Sequence, residues 1–283
     1  MKNEIELLAS YWTIAGGAMP HTDREFSPFD FRDRVQAAAR AGFTGIGIWH
    51  ADLEHILEKR SLKEMKRILD DHGIRHVELE FLTNWFLSGE RKKKSDTQKE
   101  ILLTAAEVLG AHHVKVGDFN RATCPMAQLI ESFTRLCADA ADHGTKIGFE
   151  LMPFAMIDSL TDSLLMVEGS GAANAGIVLD LWHLVKLGIP YTALRSLPLH
   201  AIVGVELNDG TFHAPWSLQE DTVNHRRFCG EGEFDVRGFL RTVQEIGYPG
   251  PWGIEVLSEE HRKWPLDRLT THAFETTIRP FRS

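Results

Sequence analysis

The 283-residue sequence predicts an α/β protein: a single (β/α)8 barrel of the TIM type, one domain over residues 1–283 with a parallel eight-stranded core. Three observations predict it. Helical stretches, most of them ending in glycine, run directly into short β-branched segments. The repeat recurs at barrel spacing, with Gly42, Gly73, Gly110 and Gly144 separated by 31, 37 and 34 residues. No glycine-rich phosphate-binding fingerprint follows any strand, which counts against the alternative, a doubly wound open sheet.

The elements follow in order. LLASYWTIAG supplies a first strand. AARAG–FTGIGIW, LDDHG–IRHVELEF, AEVLG–AHHVKVGDF and AADHG–TKIGFELMPF each close a helix on glycine and open a strand. Glycine adopts the left-handed conformation past a helix end without a Cβ clash. AANAG–IVLDLW, LPLH–AIVGVELND and EIGYPG–PWGIEVL complete eight strands. Ser61 and Glu64 form a capping-box pair at the start of SLKEMKRILDDHG, and Leu62, Met65, Ile68 and Leu69 make its apolar stripe. Strict strand–helix alternation demands a parallel sheet. The run RKKK at 91–94 is expected in a solvated loop after the third strand.

Composition narrows the function. Hydrophobic residues make up 43% and charged residues 25%, ordinary for a globular protein, and the net charge of −9 opposes a nucleic-acid partner. No apolar run is long enough to span a bilayer, so no membrane partner is expected. The N-terminus lacks the apolar core of a signal peptide. Three scattered cysteines, Cys124, Cys137 and Cys229, read as reduced thiols in a cytoplasmic protein.

Side chains alternate faces along a strand, and the two faces differ in kind. Ile46 and Ile48, then Val77, Leu79 and Phe81, then Val114 and Val116, form a branched apolar face that must meet the helices. The opposite face carries Gly45, Gly47 and Trp49; Glu78 and Glu80; His113 and Lys115; and, later, Glu150, Asp180, Glu206 and Glu255. Small residues come early on these strands and acids late. Glu80, Glu150, Asp180, Glu206 and Glu255 should therefore converge at the C-terminal mouth, where barrel enzymes place their chemistry. Five carboxylates cannot share a low-dielectric pocket as bare anions. Either some are protonated or a divalent cation binds, since Lys115 offsets only part of the charge. One divalent metal is the expectation, with oxygen ligands favouring Mg²⁺ or Mn²⁺ over Zn²⁺ or Co²⁺. Glu80 is either a substrate contact or an ion pair with Lys115 or Lys146. His50 and Lys115 are further candidates for substrate binding. Trp12, Trp49, Trp85 and Trp182 are candidates to line the pocket.

FELMPF (Glu150), VLDLWH (Asp180, His183), VELNDG (Glu206 to Asp209), RRFCGEGEFD and YPGPWGIEV (Glu255) resemble the xylose isomerase-like TIM-barrel superfamily. This is the group of sugar phosphate isomerases and epimerases related to endonuclease IV. The resemblance implies a divalent metal held by Glu, Asp, His and Glu at the ends of strands five to eight. Glu150, Asp180 and Glu255 match that set, and Glu206 stands where the family has histidine. The resemblance makes Glu150 and Glu255 the proton-moving pair, and His183 and Arg226 the groups that bind substrate oxygens. It implies a metal-dependent isomerase or epimerase of a sugar, sugar acid or cyclitol, working next to a carbonyl through an enediolate. Alternatives are a lyase or dehydratase on a keto-polyol, and a non-catalytic sugar-binding barrel. Endonuclease chemistry is disfavoured: that enzyme needs three zincs, and Asn224 and Arg226 stand where two more of its ligands would be. A homodimer is possible by resemblance.

Overall fold

The helices stop where the sequence says they should. Gly42, with φ of 113°, ends Phe31–Ala41, and its N–H returns to the carbonyls of Ala38 and Ala39. Ser61 and Glu64 close a complete capping box at the head of Leu62–Asp71. The computed structural model describes residues 5–119 and 121–282. Eight parallel strands form a closed barrel in sequence order: β1 (Leu7–Ala9), β2 (Gly45–Trp49), β3 (His76–Leu82), β4 (His113–Val116), β5 (Lys146–Glu150), β6 (Ala175–Asp180), β7 (Ile202–Leu207) and β8 (Trp252–Ile254). β1 pairs with β8 through Leu8 and Gly253, which removes both sheet edges. Among the described residues, no helix is long and apolar enough to cross a membrane.

Two layers result from the strand alternation. Ile46, Ile48, Val77, Leu79, Val114 and Val116 pack outward into one aliphatic core with the helices. The inward positions hold glycine low in the barrel and acids near its C-terminal end. Gly47 shows why glycine is needed there: a Cβ would lie 2.5 Å from Glu80 Oε1 and 2.6 Å from the Tyr11 nitrogen.

Two expectations need correction. RKKK at 91–94 is not in a loop. It sits in the first turns of the long helix Gly89–Leu109. Lys93 pairs with Glu90 at 2.8 Å and Lys92 pairs with Asp96, both at helical spacing, so the charge run is the solvated face of a helix. Phe81 was expected to face the helices. β3 advances three residues, Leu79 to Leu82, while β4 advances two, Val114 to Val116. This extra residue is a bulge. It turns Phe81 inward to the mouth and gives Leu82 the outward place.

Candidate active site

Each acidic side chain reaches the mouth because it lies at or within one residue of the C-terminal end of its strand. Asp180 closes β6 and also caps the next helix, Leu181–Lys186. Its Oδ1 accepts from the His183 backbone N–H at 3.0 Å. The Asp-x-x-His spacing is thus an N-cap spacing, and it turns His183 toward the cup. Asp180 Oδ2 accepts from Asn208 Nδ2 at 3.0 Å and from Arg226 Nη1 at 2.9 Å. Glu255 follows β8. Its Oε1 accepts from Lys115 Nζ at 2.9 Å and its Oε2 from Arg226 Nη1 at 3.0 Å. Glu206, on β7, accepts through Oε1 from Ser10 Oγ at 3.0 Å and from Lys115 Nζ at 2.7 Å. Glu150 ends β5, with Oε1 3.4 Å from His183 Nε2.

These four carboxyls are all buried, and one oxygen of each lies within 4.8 Å of the others. The convergence expected from strand alternation is therefore present. Glu80 pairs with Lys115 at 3.2 Å and its Oε1 accepts the Tyr11 N–H at 3.0 Å, and it also lines the pocket. Arg226 is the inward arginine of its pair. Arg227 instead donates to the Glu231 carbonyl at the surface.

The electrostatics separate the acids. Burial alone would raise every carboxyl. For Glu150, Lys115 and then His183 overcome burial and hold it down at about 2. Glu255 is raised, burial outweighing Lys115 and Arg226, with Glu150 and Asp180 adding like charge. Glu206 is pushed well up by burial and by Glu255, despite Lys115. Burial works against the Lys115 charge, but Glu206, Glu255, Glu80 and Glu150 together hold its ammonium well above the usual lysine value.

Above this acidic floor stands an apolar wall. Trp12 and Trp49 have centroids 4.9 Å apart, Phe81 and Phe119 4.9 Å, Phe119 and Phe154 6.4 Å, and Phe154 meets His183 edge-on at 5.7 Å. The pocket so formed is also lined by Glu80, Glu150, Arg226 and Glu255.

Not every candidate is here. His50 packs against Trp49 at 4.7 Å and does not line the pocket; burial lowers its pKa to about 4. Lys115 lies beneath the pocket and reaches it through the carboxyls it holds. Trp85 belongs to the outer core beside Phe86 and Phe133. Trp182 is fully buried under the Arg226 guanidinium, 5.1 Å from it. Ser10, Phe119 and Phe154 were missed. Phe119 and Phe154 lie just past β4 and β5, and residues that follow barrel strands line the mouth, so position alone could have flagged them.

The donor set fits a hard divalent cation. All four groups are carboxylates, and two of their buried oxygens, Glu150 Oε1 and Glu206 Oε2, have no hydrogen-bond donor.

The sequence pattern of the xylose isomerase-like TIM barrel matches residues 35–276, and the chain belongs to that family. A 3-dehydroshikimate dehydratase of Pseudomonas aeruginosa is 27% identical over 237 residues, 82% of this chain and 37% of the relative. The chain thus spans little more than a third of that enzyme. A 2-oxo-tetronate isomerase of Haemophilus influenzae is 26% identical over 252 residues, 81% of this chain and 89% of the relative. Among solved structures, the IolI protein with a bound zinc atom superposes with a TM-score of 0.84 at 18% identity, covering 98% of each chain. That likeness is one of fold.

Proposed function

We propose that this chain is an isomerase or epimerase that moves a proton on the carbon beside the carbonyl of a small polyhydroxylated substrate: a sugar, a sugar acid or a cyclitol ketone. One observation carries the reading. Glu150 and Glu255 share one buried cup, each offering an oxygen within 4.8 Å of the other and of Asp180 and Glu206, and both line the aromatic-walled pocket. Two carboxyls so placed can take a proton from a substrate carbon and return one.

In this reading Glu150, ionised, takes the proton from carbon. Glu255 stands across the cup to return a proton or hold one at a substrate oxygen. His183 and Arg226 bind hydroxyl or carbonyl oxygens, and the Trp12-to-Phe154 wall covers the apolar face of the substrate and excludes water. Glu150, Asp180, Glu206 and Glu255 would hold one divalent cation, Mg²⁺ or Mn²⁺ by their oxygen donors, with zinc raised by the IolI likeness. Such an ion supplies positive charge to a carbonyl oxygen as the adjacent carbon loses its proton.

Dehydration is the second reading. It begins with the same proton abstraction, and the relative that matches 82% of this chain is named a dehydratase. One experiment separates the two. The purified chain, supplied with Mn²⁺, is incubated in D₂O with 2-oxo-tetronates, cyclitol ketones and 3-dehydroshikimate, and the products are read by mass spectrometry. Deuterium gained without loss of water supports proton shuttling. Loss of water from the dehydroshikimate alone replaces the first reading with the second. No change in any substrate sinks both.

A further inference from the structure

Four carboxyls meet at the mouth, and a side chain answers them from below. Lys115, on β4, has no exposed surface. Its Nζ lies 2.7 Å from Glu206 Oε1, 2.9 Å from Glu255 Oε1 and 3.2 Å from Glu80 Oε2. An ammonium has three N–H bonds, and three acidic oxygens surround this one. Glu206 is divided by this contact. Its Oε1 serves Lys115 and Ser10, while its Oε2 is buried with no donor. One oxygen is neutralised and the other is left bare within the four-carboxyl set.

We infer that Lys115 and Glu206 act as one unit that sets how tightly the centre holds a divalent cation. This rests on the metal reading above. Glu206 brings a fourth carboxyl to the cup, and Lys115 donates to it at hydrogen-bond distance. The ammonium offsets part of the charge that burial would penalise, so the cup depends less on an ion. The same ammonium repels an arriving dication across a low-dielectric gap of a few ångströms. Lys115 therefore weakens metal binding, while Glu206 keeps one free oxygen with which to ligate. A lysine that merely tied β3, β4, β7 and β8 together would have no such effect on affinity.

The test is Mn²⁺ binding to the full chain after metal stripping, followed by calorimetry and by the electron paramagnetic resonance of free Mn²⁺. Wild type is compared with Lys115→Met, Glu206→Gln and the double variant. Lys115→Met is expected to bind about 10- to 100-fold more tightly, as the loss of one nearby buried positive charge dictates. Glu206→Gln should weaken binding. That loss should be larger when Lys115 is already methionine, since the full charge of Glu206 is then available to the ion. A Lys115→Met chain that folds only when Mn²⁺ is supplied gives the same answer through its melting curve. If that variant folds under neither condition, Lys115→Gln is judged by the same affinity. Lysine variants that bind Mn²⁺ as weakly as wild type, or more weakly, overturn the inference. Wild type and variants that all fail to bind Mn²⁺, Mg²⁺ or Zn²⁺ overturn the metal reading itself, a result distinct from an unchanged affinity.

Discussion

Glu78 and Glu150 are both fully buried glutamates on inward-facing strand positions, and their chemistry is opposite. Glu78 lies on β3, two residues before Glu80. Burial, with Glu80 adding like charge against the pull of Lys115, raises it to about 8. Its nearest basic neighbour is His113, with Nε2 3.6 Å from Oε2. His113 is itself driven well below its usual range, first by burial, and carries no charge at neutral pH to offer. Glu150, at the end of β5, faces Lys115, His183 and Arg226 and is held at about 2. Depth alone does not separate the two. What separates them is the company of cations. In the lower barrel a carboxyl is a neutral filler. At the end of β5, Glu150 is held as an anion by the cations around it.

The comparison is broken most severely at Glu150. Glu150→Gln keeps the shape and removes the base. Turnover in the assay above should fall by about 10²- to 10⁴-fold, the usual contribution of a positioned general base. The fold should survive, because the amide keeps the size and polarity of the carboxyl. Turnover within a few-fold of wild type would remove Glu150 from the mechanism.

The next effect falls on stability. The ordinary carboxyl value for Glu78 is 4.5 and its folded value is about 8. Folding therefore retains a proton that the unfolded chain releases. The stabilisation from this group is fully present below pH 4.5 and is lost as pH rises toward 8. Between pH 6 and pH 8 the loss is roughly 2 kcal/mol, since each unit of pH inside that window is worth about 1.4 kcal/mol. Thermal melts of wild type should drop by several degrees over this range. Glu78→Gln should flatten that dependence while changing turnover by less than about 3-fold, under about 1 kcal/mol of barrier. An unaltered pH slope would mean that Glu78 is already ionised in the folded protein.

The different fates of these residues show what a sequence can reveal. Period-two alternation placed Glu150, Asp180, Glu206 and Glu255 on one face, and helix-closing glycines such as Gly42 located the strand starts. Both are local signals, so the barrel and its acidic mouth were legible. Partners were less so. That Lys115 would offset the mouth acids was foreseeable from charge balance. Its choice of Glu80, Glu206 and Glu255 depends on the stagger of four strands. Phe81 escaped because a bulge shifts the face by one residue and leaves no mark on the hydrophobic pattern. Trp182 was misplaced for a related reason. It follows Asp180 at even spacing, but the helix starting at Leu181 ends the strand rule there. RKKK at 91–94 read as loop because charge density hides helical pairing with Glu90 and Asp96.

The smallest expected effect tests the other half of the mouth, the rings that carry no charge. Trp12 and Trp49 meet at a tilt of 57° and both line the pocket. Trp12 touches none of the four carboxyls through a hydrogen bond, so its removal should leave proton transfer intact. Trp12→Ala should raise KM by about 2- to 10-fold, the equivalent of an aromatic contact worth roughly 0.5–1.5 kcal/mol, with kcat nearly unchanged. A matching fall in kcat would show that the wall also shapes the reacting geometry, and the division between an acidic floor that reacts and an aromatic wall that holds would then fail. An unaltered KM would place the substrate elsewhere in the mouth, against Phe119 and Phe154, where Phe119→Ala would become the variant with the larger effect.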